Sequence, residues 1–394
     1  MPVSAVLPEP EPPVDPLQEL VSRLKAIRRD LRDEYVAEHD KPWIVGFSGG
    51  KDSTLLLQLV IEAVLGTAPE DRKRRVHVVT NDTLVESPIV AAYVDRILER
   101  LGRSLTALGI PVTIARTTPE LDDTFWVNLL GRGYPAPNRH FRWCTARMKI
   151  RPTMKHLLET VSGTGEAILL VGSRRAESSN RAQMVAKYEQ GGKFSPHSDV
   201  KQCLVFKPIV ELSDDDVWMA LGQCRPPWGG THHEVITLYR NAGGGECPFV
   251  TSGDDSASCG SSSIRFGCWT CTVVEKDRSM EGLIGFGLDG LVPLYEFRAR
   301  LKVVSATPEY RSKVRRNGQD GLGPLTIDAR RMLVDELLAT QAEAGLPLIS
   351  EAELTRIRDV WREDELTGSM RAFRALSSVI SEPDAMSDFE VIPE

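Results

Sequence analysis

Apolar residues along this chain switch between two spacings, and the switching outlines an α/β fold. Leu20, Leu24, Ile27 and Leu31 recur at helical spacing and predict an amphipathic helix from residue 17 to about 39. The run Trp43-Ile44-Val45-Gly46-Phe47 then reads as a short buried strand, and Leu55-Leu56-Leu57-Gln58-Leu59-Val60-Ile61 as the start of a buried helix. Strands over 76–80, 111–117 and 167–172, with a helix over 89–109, continue the rhythm of a parallel sheet. Residues 122–131 read as a short helical piece. The segment 203–210 runs into Ser213, a natural helix N-cap, and the next residues Asp214, Asp215 and Asp216 favour a helix dipole. Those three acids are read as helix-start chemistry and not as a metal site. Beyond about residue 275 the chain is charged and intermittently helical, with helices expected over 327–344 and 351–364.

Chemistry concentrates where the first strand meets the first buried helix, at Ser48-Gly49-Gly50-Lys51-Asp52-Ser53-Thr54. Glycines at a strand-to-helix turn let phosphate oxygens approach main-chain N–H groups at a helix N-terminus. Lys51 adds a point charge, and Ser48, Ser53 and Thr54 add hydroxyl donors. The pattern GxxxxGK[ST] is absent, since both glycines directly precede the lysine and an aspartate follows it. The arrangement resembles the PP-loop of the ATP pyrophosphatases, which split ATP between its α- and β-phosphates and adenylate a substrate.

Two further strand ends belong beside that turn. Asp82, just past the second strand, is placed for the base or ribose of a nucleotide held by the first turn. Gly172 and Arg174 close the fourth strand, where an arginine suits charge that develops during nucleotidyl transfer. A third feature is compositional: residues 131–151 hold six Lys/Arg and no acid, with aromatic residues interleaved. That mixture suits contact with phosphates or a nucleic-acid strand, and Arg139, Arg142 and Arg147 are the expected substrate ligands.

The whole chain, by contrast, has 394 residues and a net charge of −7, which argues against a protein that grips nucleic acid over its entire surface. The proline- and glutamate-rich start resembles no signal peptide, there is no apolar run of membrane-spanning length, and the natural compartment is the cytoplasm. Seven cysteines are too few and too scattered for a secreted disulfide framework. Cys268 and Cys271 form a C-x2-C pair, Cys259 lies nine residues upstream of Cys268, and Cys144 sits in the basic aromatic segment. Four such thiolates fit either zinc or a [4Fe–4S] cluster, with the cluster preferred. A redox dithiol remains a reading for Cys268 and Cys271 alone. Cys203 and Cys224 are expected to be inert buried thiols, and Cys247 stays an alternative ligand.

Together, SGGKDST, RHFRWCT (residues 139–145) and SCGSSSIRFGCWTC (residues 258–271) resemble the DndC family, the PAPS reductase-like ATP pyrophosphatases of bacterial DNA phosphorothioation. The resemblance covers roughly residues 17–345. It implies a Rossmann-like, adenine nucleotide alpha hydrolase-like sheet over 17–240, an iron–sulfur region over 241–300, and a helical extension over 301–380. Disordered ends are expected at 1–16 and 381–394. The implied reaction uses ATP and Mg2+ to adenylate a DNA backbone phosphate so that sulfur replaces a non-bridging oxygen. Lys51, Asp52 and Ser53 are then catalytic, and Ser48 through Thr54, Asp82, Gly172 and Arg174 hold ATP. Implied partners are DNA, met through a complex, a cysteine desulfurase as sulfur donor, and the other phosphorothioation proteins. A phosphoadenylylsulfate-type reductase, a tRNA thiolase and a non-catalytic nucleotide sensor are the competing readings.

Overall fold

In a computed structural model, the structure describes residues 15–177, 192–243, 266–315 and 317–367. Cys247, Cys259 and the 381–394 tail lie outside these residues, as do positions 1–14 of the N-terminal segment.

The alternating pattern becomes a single six-stranded sheet in the order β3-β2-β1-β4-β6-β5. Its strands are β1 (Trp43–Gly46), β2 (Val76–Asn81), β3 (Val112–Thr117), β4 (Ala167–Leu170), β5 (Phe194–Pro196) and β6 (Cys203–Phe206). All pairs are parallel except β5 with β6. The three-residue β5 was not expected, because so short an edge strand shows no readable period. The sheet grows from β1 in both directions, towards β2 and β3 on one side and β4 and β6 on the other. That reversal opens a crevice above the carboxyl ends of β1 and β4, where ligands of such sheets bind.

The sheet's two faces follow from the period of two along β1. Trp43 and Val45 join the main core with α1 (Pro16–Tyr35), α2 (Lys51–Leu65) and α3 (Pro88–Ala107). Ile44 points the other way, with Val79, to Leu157 and Val161 of α4 (Arg151–Thr164). After β6 the chain is helical: α5 (Asp214–Gln223), α6 (His233–Ala242), α7 (Arg278–Gly285), α8 (Val292–Ala306), α9 (Ile327–Ala344) and α10 (Glu351–Thr367). Ser213 caps α5 as expected, in a reciprocal capping box with Asp216. Asp216 also takes both terminal nitrogens of Arg23, at 2.8 and 2.6 Å, and so fastens α1 to α5.

The helical extension is welded to the middle of the chain. Trp126 donates its indole N–H to the Leu348 carbonyl at 2.7 Å, and Trp361 does the same to Leu130 at 2.8 Å. Buried Arg330 bonds the Gly131 carbonyl and pairs with Asp364 at 2.9 Å. The anchored segment, Val127–Gly131, winds as a π-helix, and a second π-helix, Thr145–Ile150, follows Cys144. Such turns are rare and occur frequently at functional sites. They escape sequence reading because one inserted residue per turn leaves no periodic trace.

Candidate active site

The loop after β1 folds as its glycines require. Gly49 has φ of +77°, and a Cβ there would stand 2.5 Å from Val94 Cγ2. Gly50 caps α2, and its carbonyl accepts the first helical bond, from Thr54, at 2.9 Å. Ser53 braces the turn: its hydroxyl accepts the Ser48 N–H at 3.2 Å and donates to the Gly50 carbonyl at 3.0 Å. Gly49→Ala is therefore expected to leave the sheet folded while lowering nucleotide affinity by about tenfold or more, since the left-handed turn and the Val94 contact both resist a side chain. Titration of an ATP analogue, with far-UV circular dichroism as the fold control, checks this.

The loop walls one end of a cavity of about 510 Å3 that also takes in Thr80, Asn81, Asp82 and Glu86 after β2 and Gly172 after β4. Gly172 is needed for close approach, since a Cβ would lie 3.1 Å from the Asp52 backbone. Asp82 bonds the Leu84 N–H at 2.8 Å, which holds Leu84 at φ +63°, an unusual conformation for a leucine. Ser48, Gly49, Gly50, Lys51, Asp52, Ser53, Asp82 and Gly172 thus come together at one cavity, as the sequence implied. Thr54 does not: it is buried beneath the loop, beside Tyr93.

Two charged residues depart from expectation. Lys51 is only 9% exposed, its ammonium 3.1 Å from Asp52 and 3.5 Å from Asp214. Arg174 does not line the cavity. It is fully buried behind the loop, donating to Asp52 at 2.6 Å, to the Leu212 carbonyl at 3.0 Å and to Asp214. Burial alone would lower its pKa, but the two carboxylates outweigh that and hold it above the ordinary value. Arg174 is a strut joining the ends of β4, α2 and α5, not a phosphate ligand. Asp214 was read only as helix-start chemistry. In the fold it also opposes Lys51 and Arg174, which keep its carboxyl below the usual range against the effect of burial. Tyr239 of α6 was missed as well: its hydroxyl lies 3.4 Å from the Lys51 N–H, and burial drives its pKa well up.

The basic segment divides. Arg147 is turned inward, paired with Asp123 and 3.3 Å from the Tyr134 hydroxyl, so it serves packing. Arg139 is exposed and Arg142 partly so, and neither side chain makes a hydrogen bond or ion pair among the described residues. Lys149, which was not singled out, lines the cavity.

Cys144, Cys268 and Cys271 come close enough to feel one another's charge, although more than a hundred residues of chain separate the first from the others. Burial raises the Cys144 thiol's pKa, and the charge of Cys271 adds to it. Burial likewise lifts Cys268 well above the ordinary value, with contributions from Glu86 and Cys144. Backbone pairing between Glu86 and Cys268 docks the C-x2-C turn on the loop after β2, and Trp269 N–H reaches the Val85 carbonyl at 3.0 Å. Thr83 Oγ1 lies 3.2 Å from Cys268 Sγ. Arg298 secures the turn from α8, donating to the Cys271 and Val274 carbonyls at 2.7 Å each. Among the described residues no three His, Cys, Asp or Glu side chains converge as the ligands of one metal ion. Cys203, in β6 against α4, and Cys224, ending α5, lie elsewhere, and burial pushes Cys203 up to about 11.

A curated protein of Methanocaldococcus jannaschii, itself uncharacterised, is 27% identical over 214 residues, which cover 54% of this chain. The matched part spans only 38% of that relative's length. Among solved structures, the phosphoadenylyl-sulfate reductase of Candida auris in its phosphate complex aligns over 54% of this chain and 88% of its own, at 12% identity and a TM-score of 0.32. The U34-tRNA thiolase NcsA of Methanococcus maripaludis, with its [4Fe-4S] cluster, aligns over 72% and 80%, at 16% identity and a TM-score of 0.34. The model of the phosphoadenosine phosphosulfate reductase domain matches residues 42–274, from the start of β1 through the C-x2-C turn, which is more than half of the 394 residues. This chain belongs to the phosphoadenosine phosphosulfate reductase domain family.

Proposed function

We propose that this protein is an ATP pyrophosphatase that activates a DNA backbone phosphate for replacement of a non-bridging oxygen by sulfur. One observation carries the reading: a single loop, 82–87, faces the nucleotide cavity with Asp82 and Glu86 and touches Cys268 with Thr83 and Glu86. Nucleotide chemistry and thiol chemistry therefore share a wall.

In this scheme a DNA phosphate oxygen attacks the α-phosphorus of ATP, the bond to the β-phosphate oxygen breaks, and pyrophosphate leaves. Lys51 and the N–H groups around Gly49 and Gly50 receive its charge, and Mg2+, when bound with ATP, would supply further charge neutralisation there. Asp52 holds Lys51 and Arg174 in place. Sulfur from a cysteine desulfurase's persulfide, released as hydrosulfide by a thiol reductant, then attacks the DNA phosphorus. The P–O bond to the adenylate breaks, AMP departs with the former DNA oxygen, and the hydrosulfide proton passes to solvent. Cys144, Cys268 and Cys271, joined by Cys259 or Cys247, would hold a [4Fe–4S] cluster that supplies either a sulfur-accepting site or a structural clamp. The donor set suits that group, because a four-iron cluster takes each thiolate on a different iron, whereas zinc needs all of them at about 2.3 Å from one point.

Arg139 and Arg142 supply the backbone contact. Incubation of anaerobically purified protein with ATP and a short DNA duplex is expected to yield AMP and pyrophosphate, with DNA stimulating the release. In the Arg139→Ala/Arg142→Ala variant, DNA affinity should fall and the slope of log K against log salt should shrink by about 2. The family's own name favours the competing reductase reading. Sulfite release from phosphoadenylyl sulfate, with no pyrophosphate formed from ATP, would establish that one instead.

A further inference from the structure

We propose that Asp214 is a positioning residue of the nucleotide site: it holds Lys51 when the cavity is empty of phosphate, and an incoming nucleotide must displace it. The inference rests on the nucleotide-binding part of the reading above. At the phosphate end of the cavity, Lys51 and Arg174 carry two positive charges and Asp52 and Asp214 two negative ones, each cation paired with both carboxylates. The charged side chains therefore cancel, and initial attraction for a phosphate comes from the loop's N–H groups and the α2 N-terminus.

The two carboxylates differ in what they can give up. Asp52 bonds Arg174 through Oδ1 and Lys51 through Oδ2, and it is part of the loop itself. Asp214 comes from the start of α5 and uses one oxygen for both cations, with the longer distance, 3.5 Å, to Lys51. The Lys51–Asp214 contact is thus the one that yields when a phosphate oxygen arrives, leaving Arg174 bridging Asp52 and Asp214 behind the loop. Asp214 also lines the cavity, so its charge opposes the nucleotide while it aims the lysine. A carboxylate with both duties weakens ground-state binding and favours the arrangement used in reaction.

Asp214→Asn keeps the oxygen that Arg174 requires and leaves the Ser213–Asp216 capping box intact, so the start of α5 is preserved. A non-hydrolysable ATP analogue should bind this variant roughly fivefold more tightly, the size expected from removing one nearby like charge. The rate of pyrophosphate release at saturation should fall on the order of tenfold, from loss of lysine placement. Asp214→Glu should restore the weaker binding. A merely structural aspartate would move neither quantity, or would weaken binding in step with melting temperature, and either result overturns the proposal. If the wild type binds the analogue but releases no pyrophosphate, the pyrophosphatase reading fails, while the binding comparison still decides the role of Asp214.

Discussion

Lys51→Ala should abolish pyrophosphate release, with kcat falling by about a hundredfold or more. Among the described residues, the lysine is the only cation that both lines the phosphate end of the cavity and projects from the loop itself. From sequence alone it reads as a surface ligand whose loss leaves stability untouched. Its burial changes that expectation. Removing it leaves Asp52 and Asp214 neutralised by Arg174 alone, so the variant should also unfold at lower denaturant, by about 1–3 kcal/mol. Coupled pyrophosphate detection and urea titration measure the two effects. Native-rate formation of AMP and pyrophosphate by the variant would remove the loop from the chemistry.

Replacement of Cys144, Cys268 or Cys271 by serine should each strip bound iron and sulfide from anaerobically purified protein, by on the order of tenfold or more. The three partly buried thiols lie in one region, where a cluster would accept them as thiolates; without metal, burial keeps Cys144 and Cys268 protonated. The turn that carries Cys268 and Cys271 is held independently by Arg298, and Thr272 donates to the Pro137 carbonyl at 2.6 Å. Loss of a thiol should therefore empty the site without unfolding the loop. Cys203→Ser and Cys224→Ser should retain full iron, since Cys203 lies in the core against α4 and Cys224, partly exposed where a buried thiol was expected, ends α5. Comparison of Cys247→Ser with Cys259→Ser identifies the remaining ligand. Zinc in the wild type, with no sulfide and no visible absorption, would sink the cluster.

Sulfur modification of DNA in cells should follow the same division among the cysteines. A sulfur carrier predicts that loss directly, and a structural clamp predicts it through a local shift of the wall that holds Glu86, with the turn itself still folded. The two roles separate in pyrophosphate release, which a pure sulfur carrier would leave intact.

Local pattern carried much of this protein. Periods of 2 and about 3.6 marked β1 to β4 and the helices α1 to α3, because each element buries a face and burial repeats with its geometry, whereas α4 was not read. The Gly49-Gly50-Lys51 turn was legible because its φ angle and close backbone approach demand particular residues at adjacent positions. The C-x2-C pair was legible for the same reason, two thiols on one turn. What the tertiary structure alone decided lies between residues far apart in the chain. Arg174 meets Asp52 across 122 positions, and Arg23 meets Asp216 across 193. Neither pairing leaves a trace in local spacing, because an ion pair needs only opposite charges that the fold happens to join. Hence Arg174 reads as a phosphate ligand and is a strut, Arg147 reads as a substrate contact and is a packing pair, and Asp214 reads as a helix start and faces the site. The π-helix beside Cys144 and the anchoring of α9 and α10 on residues 126–131 were likewise invisible, since they depend on tertiary packing and not on any period. The sequence alone thus determined which groups could do chemistry; the fold decided which of them face the nucleotide and which stand behind the wall.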